Sequence, residues 1–319
     1  MIPGLAYAQD AAAIIARDNA IDAHLRKAQS AAGTDFTGTL SRLCVAPTRF
    51  PLEIRDGAPG RPPARETWYA EPAKVFDNLY FVGSKIHNSW ALVNDDGIIL
   101  FDTLFTYNSE EEIIGGFKKL GLDPSKIKYV IITHAHGDHD GGAKLLQDRY
   151  HARLVLGEQD WQLIENSKNG FPEGKPKRDI AGDDGQKITV GDNTVNIVTT
   201  PGHTKGTLSM IFTVRDNGRP LTAVYTGGTA FNFPSTGSNF DIYIASQKKL
   251  AGAAAAAGAT VWMSNHTEFD QAIPKIRMLA GRKPGEPSPF EIGKDAISRY
   301  FVVGEECAEA AKLKFADLK

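Results

Sequence analysis

Apolar positions fall in two textures along the chain. In Ala11–Ala32 they recur at helical spacing, with Ile14, Ile15, Ile21 and Leu25 on one stripe, and this predicts a helix. From Asn78 onward they come as short runs closed by turn residues: Leu79–Val82, Ala91–Val93 and Ile98–Phe101, the last two joined by Asn94-Asp95-Asp96-Gly97. Such runs predict a β-meander. Ser109 with three glutamates after it predicts a capped helix to Leu120, since acidic residues suit a helix N-terminus. Lys128–Ile132 reads as an apolar strand, Gly142–Tyr150 as a helix, Leu154–Leu156 as a strand and Gln159–Ser167 as a helix.

The second half repeats the theme. Lys187–Val190 and Thr194–Thr199 are expected strands, followed by Leu208–Val214, an Asn217-Gly218 hairpin turn, Leu221–Thr226 and Thr260–Met263. Phe240–Ala257, Glu268–Leu279 and Glu291–Lys314 are expected helices. Strands then helices, twice over, favour two packed sheets with helices on both outer faces. Ahead of this block, Ala46–Pro72 is a Pro/Arg/Gly-rich connector without periodicity. The expected organisation is residues 1–8 as a signal-peptide remnant, 9–72 as a helix and Pro/Arg-rich arm, and 73–319 as a catalytic domain ending in a helix.

Composition narrows the class. The chain has 319 residues, 42% hydrophobic and 23% charged, enough for an ordinary globular core, and its formal net charge of −2 gives no reason to expect a nucleic-acid partner. No uncharged apolar run approaches the roughly 18 residues of a bilayer span, so no membrane partner is expected either. A small-molecule substrate is the better expectation. Ala6-Tyr7-Ala8 has the small-x-small form of a signal-peptidase site, which points to a periplasmic or secreted protein; a chance match in a cytoplasmic chain is the alternative. The two cysteines, Cys44 and Cys307, either form one bridge in an oxidising compartment or stay as two buried thiols in a reducing one.

The chemistry concentrates in Thr133-His134-Ala135-His136-Gly137-Asp138-His139-Asp140-Gly141-Gly142. Side chains alternate along an extended segment, so His134 and His136 share a face and can grip one ion, while Asp138 and His139 on the following turn point into a neighbouring site. Neutral imidazoles suit zinc, and a carboxylate supplies charge compensation. Two further histidines stand at strand ends after turn residues: His203 in Thr-Pro-Gly-His-Thr and His266 in Ser-Asn-His-Thr-Glu.

These stretches, with Asp102 closing the strand Gly97–Asp102, resemble the metallo-β-lactamase superfamily over roughly residues 75 to 285. The resemblance implies an αββα four-layer sandwich and two Zn²⁺ per chain, with His134, His136 and His203 at the first site and Asp138, His139 and His266 at the second. Asp102 would orient a ligand histidine. Most hydrolases of the superfamily carry a bridging aspartate in a Gly-Asp pair where this chain reads Tyr225-Thr226-Gly227-Gly228-Thr229. The zinc β-lactamases lack that bridge, and the subclass with three histidines on one ion and Asp-His-His on the other matches these six residues. In place of that subclass's serines the chain offers Thr229, Asn232 and Ser235, and Lys205 is a candidate for a substrate carboxylate. An aspartate at position 228 is expected to restore the bridge.

The resemblance therefore implies a metal-dependent hydrolase cleaving an amide or ester of a small anionic substrate, with Asp138 orienting the nucleophile and accepting its proton. A lactonase or esterase of the same fold is the alternative. An iron-dependent oxygenase fits less well, because redox iron pairs take more carboxylates than Asp138 alone, and a non-catalytic metal-binding protein would have lost ligands.

Overall fold

The computed structural model describes residues 3–45, 62–168 and 170–315. Residues 46–61 of the expected connector, and Met1 and Ile2 of the expected signal remnant, lie outside the described residues.

Seven strands form the first sheet, in spatial order equal to chain order: β1 Ala73–Lys74, β2 Leu79–Phe81, β3 Trp90–Asn94, β4 Gly97–Phe101, β5 Ile127–Ile131, β6 Arg153–Gly157 and β7 Ile180–Gly182. The first four pair antiparallel and the last four parallel. The second sheet holds β8 Lys187–Val190, β9 Asn193–Thr199, β10 Leu208–Asp216, β11 Arg219–Thr226 and β12 Val261–Ser264 in the order β12-β11-β10-β9-β8. Only β11 and β12 run parallel within it.

Strand alternation sets the layers. Ile99 and Phe101 point into the inter-sheet core beside Leu208, Met210, Phe212 and Tyr225, with the Phe101 and Phe212 rings 4.9 Å apart. Ile98 and Leu100 point out, under Ile113, Phe117, Leu146 and Trp161. On the far face Ile211, Val224 and Trp262 lie under Leu250, Tyr300 and Phe301 of the helices Gly237–Ala256 and Lys294–Phe315. The result is the expected αββα sandwich. Among the described residues no helix is long and apolar enough to cross a membrane.

Local departures from expectation have local causes. Ser109 does not cap: it is itself helical and makes no side-chain cap bond, and a π-helical turn Glu110–Gly115 precedes Gly116–Leu120. The helix expected over Glu268–Leu279 breaks into Thr267–Asp270 and Ala272–Leu279 at Gln271, whose φ of +56° is left-handed. The first helix, Pro3–Ala32, leaves Ile14 and Ile15 half exposed, whereas Ile21 and Leu25 of the same stripe are partly buried. Contact runs through Ala28 and Ala32, which join the cluster of Tyr300, Val303 and Cys307 on the final helix. His24 Nδ1 lies 2.6 Å from Glu306, and a disulfide joins Cys44 to Cys307 across 263 residues. At the other extreme, Asn217 and Gly218 have φ of +52° and +78°, the left-handed pair that a tight Asn-Gly hairpin requires.

Candidate metal centre

One edge of the sandwich collects the carboxyl ends of two parallel strand pairs, β4 with β5 and β11 with β12. Ligand sites form there in α/β sheets because the loops leaving those ends converge. Asp102 leaves β4, Thr133 and His134 follow β5, Gly227 follows β11, and His266 follows β12.

His136 is extended, with φ −108° and ψ 148°, and Gly137–Asp140 then makes a single helical turn. This sends His134 and His136 one way and Asp138 and His139 another. His203 Nε2 lies 3.1 Å from His134 Nε2 and 3.2 Å from His136 Nδ1. On the other side His139 Nε2 lies 3.1 Å from His266 Nε2 and 3.2 Å from Asp138 Oδ2, and Asp138 Oδ2 is 3.3 Å from His266 Nε2. The structure thus brings together all six residues singled out in the sequence.

Each buried ring is oriented by what its other nitrogen touches. His134 Nδ1 is 2.9 Å from the Gly227 carbonyl and His203 Nδ1 is 2.7 Å from that of Ala230. Both must donate there, which leaves the Nε2 lone pairs facing one another at 3.1 Å. Two bare lone pairs that close repel unless a cation lies between them. Four ligands at ~2.0–2.1 Å around a tetrahedral zinc sit about 3.3–3.4 Å apart, so the separations fit a shared ion. Two groups of donor atoms converge within 4.8 Å, one of them His134, His136 and His203.

Asp102 ties this edge together. Its Oδ1 accepts from the Thr133 backbone N–H at 2.7 Å, and its Oδ2 accepts from Thr133 Oγ1 and His139 Nδ1, both at 3.0 Å. Burial pushes the His134 and His203 rings well below the usual histidine range. Burial also acts to lower His139, but the carboxylates of Asp138 and Asp102 outweigh it and lift the ring to about 10. Asp138 is held well below the carboxylate range: burial opposes this, and His139, His266 and His87 prevail.

Several residues at the centre were not marked by the sequence reading. His87, in the loop between β2 and β3, places Nε2 3.3 Å from Asp138 Oδ2. Its only sequence signal is a histidine beyond the six, standing just before a strand. Asp160 accepts from Ala135 N at 2.8 Å, Thr204 Oγ1 at 2.7 Å and Gly206 N at 2.9 Å, clamping the loop of His134 to that of His203. Asn265 donates to the Gly227 carbonyl at 2.7 Å.

The substrate-facing candidates divide. Lys205 is exposed two residues past His203. Thr229 is buried and its hydroxyl pairs with Tyr300 Oη at 2.9 Å, so packing employs it. Asn232 and Ser235 are half-buried in the segment after Ala230, and Asn232 N donates to the Ala230 carbonyl at 3.0 Å. Position 228 cannot take the expected bridging aspartate in place: a Cβ on Gly228 would lie 2.5 Å from the Cβ of His203, and one on Gly227 would lie 1.8 Å from the Leu208 carbonyl oxygen.

The Metallo-beta-lactamase superfamily model matches residues 82–216, and the chain is similar to that superfamily over this stretch. Among solved structures, the subclass B3 metallo-β-lactamase BJP-1 of Bradyrhizobium japonicum superposes with a TM-score of 0.63 at 27% identity, covering 74% of this chain and 93% of that one. An N-acyl homoserine lactonase of a Bacillus species is 25% identical over 173 residues, 50% of this chain and 65% of its own. A hydroxyacylglutathione hydrolase of Rhodopseudomonas palustris is 32% identical over 101 residues, 32% of this chain and 34% of its own. The chain thus spans from a third to just under two thirds of these two curated relatives, and all three proteins are hydrolases by name.

Proposed function

We propose that this chain is a dinuclear zinc hydrolase that cleaves an amide or ester bond of a small anionic substrate, in the manner of a β-lactamase. The observation that carries the reading is the pair of convergent donor groups: Nε2 of His134 and His203 lie 3.1 Å apart, as do Nε2 of His139 and His266, while Nδ1 of His134, His203 and His139 are each held by a carbonyl or carboxylate oxygen. His134, His136 and His203 would hold one ion; Asp138, His139 and His266 would hold the other. Bound there, zinc supplies Lewis acidity and an activated water at neutral pH. Asp138, held ionised by His139, His266 and His87, would orient that water and accept its proton. Asp138 is the one carboxylate among the six residues, which would leave two divalent ions undercompensated and favour an anionic substrate. Lys205, exposed two residues past His203, is the candidate partner for a substrate carboxylate.

A wall of aromatic rings limits water on one side. Phe105 and Tyr107 stack with centroids 5.2 Å apart, Trp68 packs edge-on to Tyr107 at 6.0 Å, and burial pushes the Tyr107 phenol up so that it stays protonated. Such a wall suits a substrate with an apolar acyl group beside its carboxylate. The lactonase reading draws on the N-acyl homoserine lactonase match, which covers half of this chain. The Cys44–Cys307 bridge favours an oxidising compartment, hence a periplasmic or secreted protein.

Penicillin-like and cephalosporin-like acids, neutral N-acyl lactones and thioesters, assayed on one zinc-loaded preparation of measured metal content, decide among these. Hydrolysis of the β-lactam acids with the largest kcat/KM is expected. A preference for neutral lactones selects the lactonase reading, and inertness toward the whole panel at two zinc per chain rejects both. Cell fractionation with alkylation of free thiols tests the location; two alkylated cysteines in native protein would refute it.

A further inference from the structure

We infer that His87 is a metal ligand, giving the second half of the centre four protein donors where the first half has three. The inference rests on the proposed reading that these groups bind metal, and adds a residue to it. His87 Nε2 is 3.3 Å from Asp138 Oδ2, the separation that His266 Nε2 also keeps from the same oxygen. His87, Asp138 and His266 each contribute one donor atom to a group within 4.8 Å. Asp138 and His266 thus form a common edge, flanked by His139 on one side and His87 on the other. A hydrogen bond to Asp138 would need the carboxylate alone; it would not need the His266 nitrogen gathered into the same shell.

The backbone places this ring deliberately. His87 and His266 face each other in an isolated antiparallel bridge, flanked by Asn88 N–H to the Asn265 carbonyl and Thr267 N–H to the Ile86 carbonyl, both 2.9 Å. Ser84 Oγ accepts from the N–H groups of Ile86 and His87 at 3.3 and 3.0 Å, closing the loop into a hook. That hook needs a glycine at its base, because a Cβ on Gly83 would lie 2.6 Å from Ser89 N and 2.7 Å from the His87 carbonyl oxygen. The ring packs edge-on to Phe105 at 5.1 Å and its side chain is 14% exposed, so packing on both sides fixes its direction.

Cadmium-113 substitution of protein labelled with nitrogen-15 histidine tests this without any assay of activity. A ligating ring shows scalar coupling to the metal; His24 and His151, remote from the centre in sequence, serve as uncoupled controls. Coupling is expected for His134, His136, His203, His139, His266 and His87, with His87 and His266 on the same cadmium. His87→Phe, which keeps the ring packed on Phe105, should remove that one correlation and weaken the second equivalent of metal by about 10–100-fold in chelator competition, leaving the first unchanged. An uncoupled His87 in wild-type protein, with the other five coupled, overturns the inference and leaves the metal centre standing. Coupling in none of the rings overturns the centre itself.

Discussion

The two halves of the centre are held in different ways. The half of His134, His136 and His203 is positioned by neutral backbone: its rings donate to the carbonyls of Gly227 and Ala230. The half of Asp138, His139 and His266 is positioned by charge, with His139 bracketed by Asp102 at 3.0 Å and Asp138 at 3.2 Å. A carbonyl anchor works only if the chain passes at one distance, so the first half depends on the path of Gly227 and Gly228. A carboxylate anchor depends on ionisation and tolerates small shifts. The first half should therefore fail on a change of volume, and the second on a change of charge.

The largest effect is expected from Gly228→Ala. Its methyl would meet His203 at 2.5 Å, so the ring must leave its place. About one equivalent of metal should be lost, and kcat/KM should fall on the order of 100-fold or more, as ligand-shell defects do. Elemental analysis with kinetics checks this; full retention of two equivalents would break the contrast.

Asp102→Asn should act on the other half. The isostere keeps the bond to Thr133 N–H but removes the charge that orients His139. Affinity for the second equivalent should drop by roughly 10-fold or more while the first stays put. Equal weakening of both equivalents would mean that Asp102 serves the whole edge through Thr133, whose Oγ1 also lies 3.1 Å from His134 Nδ1.

Opening the disulfide probes whether the N-terminal arm favours either half. The bridge closes 263 residues, for which the chain-entropy model gives about 5 kcal/mol as an upper figure. Cys44→Ser with Cys307→Ser should lower the urea midpoint clearly. Arg42 pairs with Glu268 at 3.7 Å, two residues past His266, so any effect on metal should fall on the second equivalent. Selective loss of the first would contradict that placement.

Glu112 supplies the smallest effect, because it is a buried carboxylate on the turn Glu110–Gly115, apart from the six residues of the centre. Burial raises it to about 8, against the bond it accepts from Ala70 N–H at 3.0 Å. The folded chain then holds a proton that the unfolded chain releases near the ordinary value of 4.5. Stability from this group is full below that value and declines as pH rises toward about 8, by at most ~1.4 kcal/mol per pH unit. Glu112→Gln should flatten thermal unfolding between pH 6 and pH 8, at an otherwise ordinary Tm. An unchanged pH slope in the variant would show that the carboxyl is already ionised in the folded chain.

Much of this molecule was legible before its fold was known. The apolar run Ile98–Phe101 foretold a strand, Asn217-Gly218 foretold a hairpin, and the cluster from His134 to His139 foretold convergent metal-type donors. These are short-range facts: side chains within six positions are placed by local backbone geometry, so their spacing alone specifies the chemistry. The interrupted helix at Gln271 and the uncapped turn at Ser109 escaped the reading because tertiary packing overrode local preference there.

What only the tertiary structure decided are the partners brought from afar. His87 meets Asp138 across 51 positions, Asp160 clamps loops on both sides of itself, and Gly228 is required by a histidine 25 residues earlier. No local pattern marks them, because each has its role only through convergence at the sheet edge, where backbone bonds and steric exclusion fix distances that the sequence does not encode. The sequence by itself determined that a histidine- and aspartate-rich centre would exist and which fold would carry it. Packing decided which distant residues, His87, Asp160 and Asn265 among them, join that centre.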